Sequence, residues 1–345
     1  MFEDMKFAMC TPHDTSLDVA RGWWRRMDEL GFDYVGIADT PMLCREVYLS
    51  LATAATVTSR ARLLLMVTNP ITRDVSVTAG AMLALRDLAG DRFTYGYGAG
   101  DSSIVGVGLE MAKGRQIAEY MNAVRDIVGG RTAEFQGRQI KAAWSAWEPW
   151  KPDLWMAANG PVNLRIAAQT ADAVIVGGGL LPEQIRQRIE YIRNCAAEAG
   201  RDPASVDIWH LAPVMPAATL EEGFSNINLM AQAMMYKKHG DRGMERPPEV
   251  IEALEQIAPL YSVHRHSRTN KEVWEIAQRT GTVDYFVRQN GGMVGPADFT
   301  AAVQALHDAG VRNVILVTMG PNKLDGIEQM AAATVAKRNV AEPAG

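Results

Sequence analysis

The sequence predicts an α/β fold, a (β/α)8 TIM barrel with an excursion before its last helix and strand. Three observations predict it. Short apolar runs alternate with amphipathic stretches about every 25–40 residues, the rhythm of βα units around a parallel sheet. Eight such runs can be counted along the chain. The turn after the first of them, Thr11–Ser16 (TPHDTS), lacks the glycine fingerprint that an open doubly wound sheet carries there.

Lys6–Cys10 (KFAMC) reads as the first strand, followed by a helix over Leu17–Leu30 that Gly31 stops. Tyr34–Ala38 (YVGIA) is the second strand, with a helix over Glu46–Thr58. Leu63–Val67 is the third, and its helix, Val75–Leu88, is closed by Gly90. Phe93–Gly98 (FTYGYG) is the fourth, with a helix over Gly114–Val128. The rhythm then slips through Gly129–Trp150, which holds Trp144, Trp147 and Trp150. Leu154–Ala158 is the fifth strand, with a helix over Val162–Thr170; Ala173–Val176 is the sixth, with a helix over Pro182–Ala199 closed by Gly200. Val206–Ala212 is the seventh strand. Met215–Gly295 reads as a long irregular region with helical pieces at Leu220–Lys238 and Pro248–Ile257. Ala297–Ala309 is helical and Val314–Val317 (VILV) is the eighth strand. One domain over 1–345 is expected, with 215–295 as an insertion or lid.

The 345 residues are 48% hydrophobic and 22% charged, enough apolar material for a full core. A formal net charge of -5 argues against a nucleic-acid or membrane-surface partner. No apolar run approaches the length of a bilayer span, and MFEDMKFAMC lacks the pattern of a signal peptide. Cys10, Cys44 and Cys195 are too few and too scattered for a disulfide framework or a zinc site. A cytoplasmic enzyme without a metal is the expectation.

Barrels of this kind carry their chemistry at the C-terminal ends of the strands. The first strand ends in Cys10, Thr11, His13 and Asp14, and the second in Asp39 and Thr40. The third stops abruptly in the stretch MVTNPITRD, at Thr68, Asn69 and Pro70. The fourth ends in GAGDSS, with Gly98, Gly100, Asp101 and Ser102. The fifth ends in AANGP, with Asn159 and Gly160, and the sixth in Gly177, Gly178 and Gly179. Glycines ahead of a helix can expose backbone N–H groups to an anion, or simply turn the chain; both readings stand.

Together, MVTNPITR, GAGDS, AANGP with LRIAAQTADAVI, AGRDP at Ala199–Pro203, GVRNVIL and GPNK resemble the luciferase-like flavin superfamily, in particular its methylenetetrahydromethanopterin-reductase-like branch. The resemblance covers Lys6 to about Asp207 and returns at Ala297–Lys323; Met215–Gly295 matches poorly. It implies a bulge with a non-proline cis peptide at Met66–Val67, behind a flavin ring. It places Thr68 and Asn69 at the ring edge, Asp39 beside it, and Asp101 and Ser102 opposite. Ala158, Asn159, Gly160 and the Gly177–Gly179 turn would hold the ribityl chain and phosphate.

The resemblance implies one of two chemistries. One is hydride transfer with the deazaflavin coenzyme (F-420). The other uses reduced FMN, supplied by a partner flavin reductase, and O2 to oxygenate a small organic substrate. Asp101 is typical of the first group. Thr40, where those enzymes commonly carry a histidine, speaks for the second, and tips the reading to an FMN-dependent monooxygenase acting on a small, heteroaromatic substrate. His13, Asp39, Thr40 and Asp101 are the candidate catalytic residues, His13 because an imidazole titrates near neutral pH. A non-catalytic flavin-binding barrel is the competing class.

Several other features read as structural or stay open. His264, His266 and Arg268 (HRHSR) read as a polar loop rather than a metal site. Met230, Met234 and Met235 have the spacing of a packed helix. The tryptophan trio could dry a pocket, with Met156, or cap the barrel. A homo-oligomer, a dimer, is expected through Ile227–Tyr236 or through the second and third helices.

Overall fold

The structure, a computed structural model, describes residues 1–105, 107–145, 147–177, 180–212, 217–225, 227, 229–240, 246–261, 271–290, 295–318 and 322–339. The chain begins with β1 (Lys6–Cys10), α1 (Leu17–Leu30), β2 (Tyr34–Ile37), α2 (Val47–Ala55), β3 (Arg62–Thr68), α3 (Val75–Ala89) and β4 (Phe93–Tyr97). Next come α4 (Asp101–Val105), α5 (Gly114–Val128), β5 (Ala133–Phe135), β6 (Arg138–Ile140), β7 (Leu154–Ala157), α6 (Pro161–Thr170), β8 (Ala173–Val176), α7 (Pro182–Glu198) and β9 (Asp207–Ala212). After β9 stand α8 (Leu220–Ser225), α9 (Leu229–His239), α10 (Pro248–Ile257), α11 (Lys271–Arg279) and α12 (Val283–Asn290). The chain then returns to the barrel with α13 (Gly295–Asp308), β10 (Asn313–Val317) and α14 (Lys323–Ala333).

Eight strands close a parallel barrel in the order β1-β10-β9-β8-β7-β4-β3-β2. Closure runs through β1 and β10, Lys6 beside Asn313 and Cys10 beside Val317. Local chemistry sets the helix ends as the sequence suggests. Ser16 accepts from the Val19 N–H at the start of α1, and Gly31, at φ 102°, turns the chain out of it. Asp74 caps α3 by accepting from the Ser76 N–H.

Side-chain alternation divides the core into two layers. Phe7, Met9, Val35, Leu63, Leu65, Met156, Val174 and Leu316 face the helices. Ala8, Cys10, Tyr34, Leu64, Trp155, Ile175, Trp209 and Ile315 fill the barrel. Trp155 stacks on Trp209 at 4.7 Å, and Tyr34 meets the Trp209 ring edge-on at 4.9 Å. These three stand near the N-terminal ends of their strands, so the bulk is low in the barrel. Higher up the partners are smaller or slimmer: Ala38, Met66, Val67, Ala157, Leu211 and Val317. The C-terminal mouth therefore has an apolar floor.

Three expectations need correction. Gly129–Trp150 contains an antiparallel hairpin, β5 with β6, Ala133 opposite Ile140. Its turn places Gln136 at φ 50° and Gly137 at φ 73°, a left-handed pair that tightens a two-residue loop. Trp144, Trp147 and Trp150 pack edge to face at 5.0 and 6.4 Å, and Arg86 lies 4.7 Å from the centre of the Trp150 ring. The Trp150 N–H donates to Val128 O at the end of α5, so the trio covers the N-terminal face. Met156 points to the helices, and neither it nor the trio dries a pocket at the mouth.

Among its described residues the excursion is largely helical. The stretch expected as one helix over Leu220–Lys238 forms two, α8 and α9, and α11 and α12 add two more. Phe224, Leu229, Met230, Leu254, Ile257, Val273 and Phe286 pack into a core of their own, apart from the barrel's. Ile227 and Met230 are buried in that core, while Met234, Met235 and Tyr236 on α9 are half-buried. On α2 and α3, by contrast, Leu49, Val77 and Leu88 are exposed. Among the described residues no helix is long and apolar enough to cross a membrane.

Candidate active site at the barrel mouth

The third strand ends in a bulge. Leu65 pairs with Tyr95 and Thr68 with Tyr97, so the ladder to β4 gains a residue on β3 between them. The Met66–Val67 peptide within that bulge is cis. Glycines on the neighbouring strand make the room. A β-carbon on Gly96 would stand 2.6 Å from Leu65 O and 2.9 Å from Val67 Cγ1, and one on Gly98 2.8 Å from Val67 Cγ2.

Past the bulge the polar cluster turns inward. Asn69 Oδ1 accepts from the Ile71 and Thr72 N–H groups, both at 2.9 Å, an Asx turn that carries the chain past Pro70. Its Nδ2 donates to Ser103 Oγ at 3.3 Å, and the residue is fully buried. Thr68 Oγ1 donates to Asp39 Oδ2 at 2.6 Å. Both side chains are thus held by bonds within the protein.

Asp39, at the end of β2, is buried and shared. Arg73 Nη1 donates to its Oδ2 at 2.6 Å and Nη2 to its Oδ1 at 3.3 Å. The same Nη2 donates to Glu46 Oε1 at 2.8 Å, and the guanidinium lies 5.2 Å from the centre of the Tyr48 ring. Burial works against the Arg73 charge, but the hydrogen bond and charge of Asp39 outweigh it and raise its pKa. Next to Asp39, the Thr40 carbonyl accepts from the Leu43 and Cys44 N–H groups and closes the following turn.

His13 is placed differently from the other candidate residues. Its ring is fully enclosed, edge-on to Trp24 at 5.7 Å and within 3.0 Å of Ser50 Oγ. Nε2 lies 3.2 Å from the Arg45 carbonyl, which can only accept, so that nitrogen carries the proton. Burial lowers the imidazole's pKa below its ordinary value, against the pull of the Arg45 carbonyl. A histidine enclosed in this way is part of the packing between α1 and α2. Burial likewise raises the Cys44 thiol to about 11 and the Cys10 thiol to about 12.

On the far side of the mouth, Asn159 Oδ1 accepts from the Gly177 N–H at 2.8 Å and ties the ends of β7 and β8 together. Ala158 is buried beneath it, and Gly160 leads into α6 with Pro161 at the first position. Arg188 from α7 donates to the Gly177 carbonyl. Burial, and then the charge of Arg246 from the excursion, lower the Arg188 pKa. Asp101 opens α4 after Gly100. Tyr261, also from the excursion, is raised by burial and then by the charge of Asp101. With the Leu180 N–H donating to Gln289 O at 3.0 Å, these contacts bring the excursion to the rim of the mouth.

The fold thus gathers Asp39, Thr40, Met66, Val67, Thr68 and Asn69 on one wall and Asp101, Ala158, Asn159, Gly160 and Gly177 on the other. It sets His13 behind the first wall. Gly178, Gly179, His264, His266 and Arg268 lie outside the described residues, as does the side chain of Ser102. Among the described residues no three His, Cys, Asp or Glu side chains are placed to hold a metal. Arg73, Arg188 and Tyr261 join the site unforeseen. Only Arg73 carried a signal, its place in the MVTNPITR stretch.

Known proteins share this architecture. A 5,10-methylenetetrahydromethanopterin reductase from Methanolobus tindarius is 30% identical over 202 residues, which span 57% of this chain and 61% of that protein. The solved structure of a coenzyme F420-dependent tetrahydromethanopterin reductase from Methanopyrus kandleri superposes with a TM-score of 0.72 at 20% identity, covering 97% of this chain and 99% of that one. The monooxygenase RslO1 from Streptomyces bottropensis superposes at 0.66 with 18% identity, covering 96% and 99%. At such identities the two structures establish likeness of fold. The bulge, the polar mouth and seven of the eight barrel strands fall within residues 5–313, which match the family model for luciferase-like monooxygenases, and to that family the chain belongs.

Proposed function

We propose that this chain is an oxidoreductase that holds the deazaflavin coenzyme F-420 across the barrel mouth and transfers hydride to or from a small organic substrate. The observation that carries the reading is the bulge at Met66–Val67, seated on the glycines of β4 above an apolar floor. A flat ring system fits such a surface. The choice of coenzyme draws support from Asp101 and from the Methanolobus protein, which is a reductase by name. When bound, F-420 supplies the carbon that gives or takes the hydride.

The chain's own residues supply placement and exclusion of water. The bulge backs the ring, and Asp39, ion-paired and accepting, presents a fixed anion at the wall. Asn159 and the Gly177 backbone form the opposite cradle. The excursion, reaching the rim through Tyr261 and Gln289, is the lid. His13 stands behind the first wall, enclosed between Trp24 and Ser50, and gives that wall its packing.

Thr40 supports a second reading, an FMN-dependent monooxygenase supplied by a partner reductase and O2, since a threonine there leaves no imidazole beside the ring. Parallel anaerobic titration with F-420 and with reduced FMN separates the two. Micromolar binding of F-420 alone is the expected result; binding of reduced FMN alone would transfer the assignment to the monooxygenase.

A further inference from the structure

We propose that Arg73 is a positioning residue. It clamps Asp39 as a hydrogen-bond-accepting anion and leaves Asp39 Oδ1 turned to an N–H or O–H of whatever binds in the mouth. The inference rests on reading the mouth as the coenzyme site. The geometry is asymmetric. Asp39 Oδ2 takes two short bonds, from Thr68 Oγ1 and Arg73 Nη1, each 2.6 Å. Oδ1 receives, among the described residues, one longer contact of 3.3 Å from Arg73 Nη2. One carboxylate oxygen is saturated and the other retains accepting capacity.

The clamp is itself held. Arg73 Nη2 reaches outward to Glu46 Oε1 at 2.8 Å, and the Tyr48 ring lies beside the guanidinium. The Tyr120 hydroxyl donates to the Arg73 carbonyl at 3.1 Å and stands 2.6 Å from Thr78 Oγ1. A fork fixed from so many sides loses little further entropy when it grips a carboxylate. The Asp39 side chain is 2% exposed and that of Arg73 14%, so the charges meet where water screens them poorly. Removing one partner of such a pair leaves the other uncompensated.

The groups facing Asp39 narrow what a pH series can report. At and just before the start of α2 these are Tyr48 and Glu46, from the loop after β1 His13, from the loop after β2 Cys44, and from α5 Tyr120. Burial raises Cys44, Tyr48 and Tyr120 above neutral and lowers His13 below its usual value. Glu46 faces Asp39 only across Arg73.

Two readouts on Arg73→Gln, Arg73→Lys and Asp39→Asn test the proposal, one of them free of ligand. In thermal unfolding, Arg73→Gln should lose more stability at pH 8 than at pH 6, because a lone buried carboxylate is costliest while ionised. Arg73→Lys should restore most of the loss, and the pH-dependent part should vanish in the Asp39→Asn background. In equilibrium binding of F-420 and of reduced FMN, the loss of affinity of Arg73→Gln relative to wild type at the same pH should be about tenfold larger at pH 6 than at pH 8, the paired comparison cancelling the titration of the coenzyme phosphate. An equal stability loss at both pH values, or a pH-dependent loss that persists with Asp39→Asn, would overturn the clamp. Should Arg73→Gln fail to fold, the double variant with Asp39→Asn should fold, since no lone buried charge remains; its failure also counts against the proposal. If wild type binds neither coenzyme, the coenzyme reading falls, and the unfolding series still decides the role of Arg73.

Discussion

His13 follows the first strand, where a histidine reads as a titrating loop residue, yet the fold encloses it between Trp24 and Ser50. The consequence is a measurable pH dependence. Burial lowers the imidazole's folded-state pKa below its unfolded value of about 6.5. The unfolded chain therefore takes up a proton that the folded one refuses. Stability from this residue is full above that range and falls as pH drops toward the folded value. His13→Gln keeps a polar partner for Ser50 without titrating. It should flatten the loss of urea midpoint between pH 7.5 and 5.5; a slope equal to wild type would place the pH sensitivity elsewhere. Asp39 was legible as a polar residue at a strand end, because position alone marks such residues in a barrel. Arg73 was harder to assign. Five residues beyond its strand, it reaches back to Asp39, and no periodicity encodes a side chain's direction of return.

At the scale of elements, β3 and β4 show how two strands share one irregularity. Gly96→Ala would set a β-carbon 2.6 Å from the Leu65 carbonyl oxygen, an atom of the ladder that cannot swing aside. The bulge must then shift, at about 1–3 kcal/mol by analogy with overpacked cores, and binding of the coenzyme should weaken with it. Gly80→Ala in α3 is the matching control. Its β-carbon would meet nothing within 4 Å, so the substitution should stabilise the helix by roughly 0.5–1 kcal/mol. Chemical denaturation of both variants, with the coenzyme titration repeated, checks the pair; two losses of equal size would deny the bulge its special place. The elements themselves were legible where apolar alternation meets a cap, as in Ser16–Gly31 around α1. The β5–β6 hairpin escaped because three-residue strands are too short to show alternation, and Gln136 supplies the left-handed position in place of the more familiar asparagine.

Across the whole molecule the chain carries two cores, and this division bears on function. The barrel core draws on β1 to β10 and the helices around them, whereas the core of α8 to α12 contains none of those residues. The excursion was legible as an interruption but not as a folded unit. Its helices are short, so each shows too few turns for an apolar stripe to stand out. A lid with its own core can open without unravelling the barrel that carries the site. Ile257, fully buried at the end of α10, gives the test. Ile257→Ala should remove about 2–5 kcal/mol from the unit it belongs to. Followed by hydrogen exchange, the amides of α8 to α12 should then exchange at least tenfold faster, while those of α1 and α5 keep wild-type protection. Slowing of exchange in α10 on addition of F-420 or reduced FMN would tie that unit to the mouth through the Tyr261 and Gln289 contacts. Uniform acceleration across barrel and excursion would show instead that the two cores unfold as one.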